Sequence, residues 1–391
     1  MLPRLLYIGD VPIEASYHGS ALLFRLLQRY PADRLLILEG NLVPPKTTRR
    51  LPQVRHAALH QGSRRLLDSR LHDGYSWWLT KRAGSRLKQV ANLLDGFSPE
   101  AILTVGHGYS WITAARAALA LNVPLHLVIH DDWPRVVAPS LRDLVDHQFG
   151  AVYRQAATRL CTSPFMADDY FGRYQARGTV LLPYRAVDGP AFSGVADRLR
   201  HANPAPVFAF AGTINSPGYA RLLRQLATAI AEHRGELLLF GPIDATAAAA
   251  AGLALPNIRL GGLLSSDELL LRLRSDADVL FVPMSFDPAD AANMRMGFPS
   301  KLTEYTAVGL PLLICGPPDC SAVRWALDHP GVGEVVTADH ESALAGAVTR
   351  LSTDAAHRIA LAERAQAIGA RDFAPGTAQA IFHHALQSTR A

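Results

Sequence analysis

Short apolar runs of four to six residues recur along the chain, and stretches with helical spacing separate many of them. In the first half these runs are Leu5–Asp10, Leu35–Gly40, Val54–Leu59, Ala101–Gly106, Leu125–His130, Arg159–Thr162 and Thr179–Pro183. Most are apolar at successive positions rather than alternate ones, as in strands buried on both faces of a parallel sheet. Helical spacing lies between several of them, at Ser20–Tyr30, Ile112–Leu121 and Leu141–Ala157. The half therefore reads as a βαβ array. Periodicity lapses over 186–206, a stretch of Pro, Gly and charge that reads as a linker. A second array then predicts strands at Val207–Ala211, Glu236–Phe240, Ile258–Gly261, Val279–Pro283, Pro311–Cys315 and Glu334–Thr337. Helices are expected near 219–233, 265–275, 300–308, 319–328 and 340–352, and two more close the chain, broken around 373–376.

The pattern predicts two tandem, Rossmann-like, doubly wound α/β domains, 1–185 and 207–372, facing across a cleft. In such domains ligands bind beyond the carboxyl ends of the strands, so the residues that follow each strand are the ones to inspect. The length of 391 residues agrees with two cores rather than one. With 49% apolar and 19% charged residues the chain is of the globular class, not disordered or collagen-like. No apolar run reaches the roughly 18 residues of a membrane span, and MLPRLLYIGDVP has neither a long apolar segment nor a cleavage site. A cytoplasmic protein is expected. Cys161, Cys315 and Cys320 form no CxxC pair, which argues against a zinc ribbon or disulfide scaffold.

Charge divides unevenly. Residues 1–185 hold 23 Lys/Arg against 14 Asp/Glu, and 186–391 hold 16 against 20. The excess is sharpest over 46–88, with 11 basic residues against Asp68 and Asp73. Within 74–90, Tyr75, Trp77 and Trp78 precede Lys81, Arg82, Arg86 and Lys88. Aromatics beside a basic helix suit a peripheral contact with an anionic membrane; a packed aromatic pair with a solvated basic face would read the same. A nucleic-acid partner is not expected, because no recognised module accompanies the charge.

The strongest chemical signal is Met294–Pro318, MRMGFPSKLTEYTAVGLPLLICGPP. It reads as a loop ending in Gly297-Phe298-Pro299, a helix from about Ser300, and a glycine stop at Gly309. The open amides of a first helical turn attract an anion, and Lys301 adds a charge there. Glu304 falls on the same face, one turn away, where a carboxylate can accept from a ribose diol. A capped amphipathic helix with a surface Lys–Glu pair is the plainer alternative. Asp276 and Asp278 precede a strand instead of ending one and read as surface residues, and His383-His384 reads as solvated. GxGxxG, Walker A, HExxH and GxSxG motifs are absent.

The segment FPSKLTEYTAVGLPLLICGP resembles the donor-nucleotide signature of GT-B glycosyltransferases, especially the retaining family-four type with FPSKL-x-E-Y. Upstream, Phe208–Thr213, Leu238–Pro242, Asn257–Gly261, Asp267–Leu270 and Ala277–Pro283 follow in the order expected of that family. The resemblance covers about 207–345 and is weaker in the N-terminal half. It implies that Ser300 and Lys301 hold a diphosphate, Glu304 the ribose, and Gly241 and Pro242 with Leu263 the base. Gly212, Thr213, Asn215, Phe298 and Pro299 complete the implied donor surface. It also implies a C-terminal helix, 373–391, crossing back to the first domain.

In the first domain His130 and Asp131 end a buried strand, where related transferases keep a histidine beside the transferred sugar. His130 is expected to hydrogen-bond near the anomeric carbon, with Asp131 orienting it or binding acceptor; a satisfied loop histidine is the alternative. His107 is a second candidate, and His18, Gly19 and Ser20 an acceptor or phosphate loop. Two departures stand out. Met296 occupies the position of a glutamate that commonly touches the donor sugar, and Gly212–Pro217 lacks the usual Arg and Lys. The implied activity is transfer from a nucleoside diphosphate sugar to a hydroxyl of a glycan or lipid-linked acceptor, with retention and without metal or resident cofactor. A nucleotide-sugar epimerase of the same fold and a non-catalytic sugar-nucleotide or glycan-binding protein remain open.

Overall fold

The computed structural model describes residues 1–15, 19–47, 49–201, 203 and 205–388. The chain forms two compact units, Met1–Pro183 with Gly376–Ala391, and Tyr184–Pro375.

Unit 1 is built on seven strands: β1 (Leu5–Gly9), β2 (Leu35–Gly40), β3 (Arg55–Leu59), β4 (Ala101–Val105), β5 (Leu125–Ile129), β6 (Thr158–Cys161) and β7 (Thr179–Val180). They lie in the order β3-β2-β1-β4-β5-β6-β7, every pair parallel. β1, β4 and β5 are buried at every position, which is why successive rather than alternate residues are apolar. Strand order reverses between β1 and β4, so the loops after these two strands diverge at a topological switch point. The last helix, Pro375–Leu386, belongs to this unit. Gln379 Nε2 donates to the carbonyls of Arg25 (2.9 Å) and Leu26 (3.2 Å), satisfying acceptors that the end of helix Gly19–Leu27 leaves open.

Unit 2 repeats the plan with β8 (Val207–Ala211), β9 (Glu236–Phe240), β10 (Ile258–Gly262), β11 (Val279–Pro283), β12 (Leu312–Cys315) and β13 (Glu334–Val336), ordered β10-β9-β8-β11-β12-β13. Phe208, Phe210, Phe281 and Leu313 from the strands pack its core with Leu222 and Leu226 of helix Pro217–Ala231.

The segment read as a linker is pinned to unit 2. Val195, Ala196 and Leu199 are buried, Ala196 N donates to Gly309 O (2.9 Å), and Arg274 collects the carbonyls of Gly194 and Val195. Asp278 corrects the surface reading: it is buried and accepts from Arg198 (2.7 Å), Asn203 (2.7 Å) and Val207 N (2.8 Å). Those donors come from the chain entering β8, so the carboxylate fastens that entry. His383 is half-buried and burial lowers its pKa, whereas His384 is exposed. The solvated reading of the pair therefore holds for His384 alone.

Candidate active site

At the carboxyl edge of unit 2's sheet, Gly212 follows β8 at φ +146° and Gly241 follows β9 at φ +148°. A Cβ on Gly241 would lie 2.3 Å from Gly212 O, so the two backbones touch and only glycine fits between them. Gly241 N donates to Gly262 O (2.9 Å), which brings Pro242 and Leu263 to the same edge. Pro242, Thr213 and Asn215 are exposed, and Leu263 presents 60% of its surface.

The helix expected from about Ser300 spans Lys301–Val308, and no side chain caps its N-terminus. Leu302 and Tyr305 are buried and anchor it; Tyr305 Oη accepts from Ala211 N (2.6 Å), tying the helix to the end of β8. Phe298 packs against Trp325 and Phe373, which holds the preceding loop. Ser300 is left exposed, while Pro299, Lys301 and Glu304 are half-buried. Lys301 Nζ stands 4.1 Å from the Phe210 ring centre and 5.8 Å from that of Tyr219. A Cβ on Gly212 would approach the same ammonium to 3.5 Å. No carboxylate pairs with Lys301 among the described residues, and burial pulls its pKa down to about 7. An ammonium without a counter-ion at an open helix end makes a site for an anion.

Arg185 is the residue sequence reasoning missed here. Its guanidinium donates to Thr303 O (3.0 Å) and Thr306 Oγ1 (3.1 Å). Burial lowers its pKa and the Glu304 carboxylate opposes that shift. Spaced 118 residues from Thr303 and lying in the part of the sequence assigned to the first domain, it carried no local signal. Met296 is buried, so this position presents no polar group to a ligand.

Unit 1 gathers a different set. His107 follows β4 and His130 follows β5, beside Asp131. His130 Nε2 lies 3.1 Å and His107 Nδ1 3.5 Å from Asp131 Oδ2; the two imidazole rings stack at 5.4 Å, and Trp133 covers His107 at 4.4 Å. Burial alone would raise the Asp131 carboxyl, but His130 and then His107 outweigh it and hold it well below the usual carboxylate range. A Cβ on Gly19 would fall 2.7 Å from His130 Cε1, so the start of helix Gly19–Leu27 closes directly over this ring. Ser20 is buried, and His18 lies outside the described residues. The neighbouring Asp132 plays another part: it is buried and accepts from Tyr170 Oη (2.9 Å) and Arg173 (3.0 Å).

Asp10, after β1, is also buried. Its carboxylate accepts from the amide and hydroxyl of Ser110 (2.7 and 2.9 Å), from Tyr109 N and from Gln61 Nε2, thereby capping helix Ser110–Leu121. Arg86, counted above in the basic face, is buried too; its Nη2 donates to Gln61 O (3.3 Å) and its charge faces Asp10. The exposed basic set is therefore Lys81, Arg82 and Lys88. Lys81 lies over Trp77 at 5.8 Å and Arg82 over Trp78 at 5.3 Å, and the two indoles are 49% and 37% exposed.

No protein-family model and no curated protein sequence matches the chain. Solved structures do. Sucrose-phosphate synthase from Thermosynechococcus elongatus superposes with a TM-score of 0.70 at 15% identity, covering 97% of each chain. Anabaena Alr3699/HepE in complex with UDP gives 0.66 at 14% identity over 98% of this chain and 99% of that one. Trehalose-6-phosphate from Escherichia coli bound with UDP-2-fluoro glucose gives 0.68 at 12% identity over 99% of this chain and 100% of that one. These similar structures are GT-B glycosyltransferases. Two parallel α/β sheets in sequence, matched over nearly the whole length of each, give this chain the GT-B fold.

Proposed function

We propose that the protein transfers a sugar from a nucleoside diphosphate sugar to a hydroxyl group. The observation that carries this reading is Lys301, half-buried without a counter-ion among the described residues at an uncapped helix N-terminus beside the Gly212–Gly241 contact. The HepE structures contain UDP, UDP with glucose, and UDP-glucose, which supports a diphosphate as the anion. Lys301 and the first-turn amides stabilise the charge that grows on the leaving diphosphate, and no metal ion is needed at that end. Glu304 accepts from the ribose diol, and Pro242 and Leu263 flank the base. His130, oriented by Asp131, hydrogen-bonds the sugar, and the acceptor is a glycan or lipid-linked hydroxyl met by unit 1. Transfer proceeds with retention, in polysaccharide or glycoconjugate synthesis.

Thermal-shift titration with UDP, GDP, dTDP, ADP and CMP tests the donor site. One diphosphate should raise the melting temperature of wild type and not of Glu304→Ala or Lys301→Ala; no shift with any of them overturns the reading. The paired indoles and cations of 77–82 support a cytoplasmic protein that visits an anionic membrane. Flotation with phosphatidylserine vesicles should be lost in the Trp77→Ala/Trp78→Ala double variant, and unchanged flotation removes the membrane from the proposal. Buried Met296 favours a second reading, a sugar-nucleotide-binding protein without turnover, which would bind the diphosphate yet release no sugar.

A further inference from the structure

The His107, His130 and Asp131 cluster has a geometry that hydrogen bonding alone does not require. Both imidazoles direct a nitrogen at the same carboxylate oxygen, at 3.1 and 3.5 Å, and the three donor atoms lie within 4.8 Å of one another. A tetrahedral zinc-class ion with bonds of about 2.0–2.1 Å spaces its ligands about 3.3–3.4 Å apart. The donor set, two imidazoles and one carboxylate, suits zinc and its neighbours in the first transition row rather than magnesium or calcium. His107 and His130 sit at the ends of adjacent parallel strands, a rigid mounting, with Trp133 on one side and the Gly19 backbone against His130. Among the described residues, three protein ligands leave a fourth position open, as in zinc sites that exchange a bound ligand.

We propose that His107, His130 and Asp131 form a binding site for a divalent transition-metal ion of the zinc class, with one coordination position free for water or a hydroxyl-bearing ligand. His130 Nδ1 is enclosed and has no hydrogen-bond partner among the described residues. The His130 ligand thus lacks the outer support that commonly adds 10–100-fold in affinity, and binding should saturate in the micromolar range. Ion binding stands whether or not the protein transfers sugar. Its consequence rests on that reading: an ion held by His130 withdraws it from the sugar, so zinc would inhibit transfer.

The experiment is calorimetric titration of the full chain with zinc chloride, without nucleotide, on wild type, His107→Ala, His130→Ala, Asp131→Asn and a His384→Ala control. Wild type and the control should each take one ion per chain, and each cluster variant should bind at least tenfold more weakly. Apo melting curves identify any variant that fails to fold, and half-exposed His107 supplies an independent arm if His130→Ala does not. Absence of saturable binding, or binding unchanged in folded His107→Ala and His130→Ala, overturns the site. Because no nucleotide is present, failure of the diphosphate reading leaves this result intact, and the reverse also holds.

Discussion

The two units share a strand plan but treat a helix N-terminus at the sheet edge in opposite ways. In unit 1 the start of helix Ser110–Leu121 is filled from within: Asp10 supplies the anion, and the Ser110, Tyr109 and Gln61 donors are consumed. In unit 2 the start of helix Lys301–Val308 has no side-chain cap, and Lys301 faces aromatic rings instead of a carboxylate. A fold that creates positive helix ends can neutralise them with its own chain or leave them to a ligand. The internal cap stabilises the fold, while on the proposed reading the open end trades stability for binding.

The largest effect should come from removing the internal anion. Asp10→Ala strands several buried donors beside the Arg86 guanidinium and should cost about 3–5 kcal/mol of stability. Urea denaturation measures it. A loss below about 1 kcal/mol would erase the contrast between the units. Lys301→Ala should show the reverse profile, losing about 2–4 kcal/mol of leaving-group stabilisation with little loss of fold. Turnover and melting temperature, measured side by side, separate the two, and a variant that unfolds instead would make Lys301 a structural residue.

The lowered pKa of Lys301 sharpens the contrast further. Its folded value of about 7 lies below its ordinary value near 10.5, so between these pH values the unfolded chain carries more protons. Stability should therefore rise with pH through that window, a rise that Lys301→Met should remove. On the proposed reading, diphosphate binding needs the charged ammonium and should take up a proton near neutrality. Affinity should fall about fivefold from pH 7 to pH 8, and calorimetry in buffers of different ionisation enthalpy should register the proton. A pH-independent affinity would exclude the ammonium from the site. The smallest effect expected is from Tyr305→Phe, which leaves Ala211 N without its partner and should cost about 1 kcal/mol in urea denaturation, with nucleotide affinity nearly unchanged.

Apolar patterning along the chain was sufficient to place twelve of the thirteen strands within a residue or two, the exception being β7, which stops at Val180 instead of Pro183. The signal is cleanest in β1, β4, β5 and β11, because a parallel strand buried on both faces must be apolar at successive positions. The helix after Phe298-Pro299 and the residues that open it were equally legible, since proline, serine and glycine act locally on the backbone. What local chemistry could not decide was which polar groups face each other. Asp278 and Arg86 look like surface charges in the sequence, yet both are buried against partners distant in the chain. Nothing in their neighbours distinguishes Asp131, which meets two imidazoles, from Asp132, which meets an arginine and a tyrosine. The absence of a counter-ion at Lys301, the approach of Arg185 to its helix and the convergence of His107 on His130 likewise belong to the tertiary structure. Periodicity reports burial one residue at a time, whereas a charge is defined by what lies across from it, and only the folded chain brings those residues together.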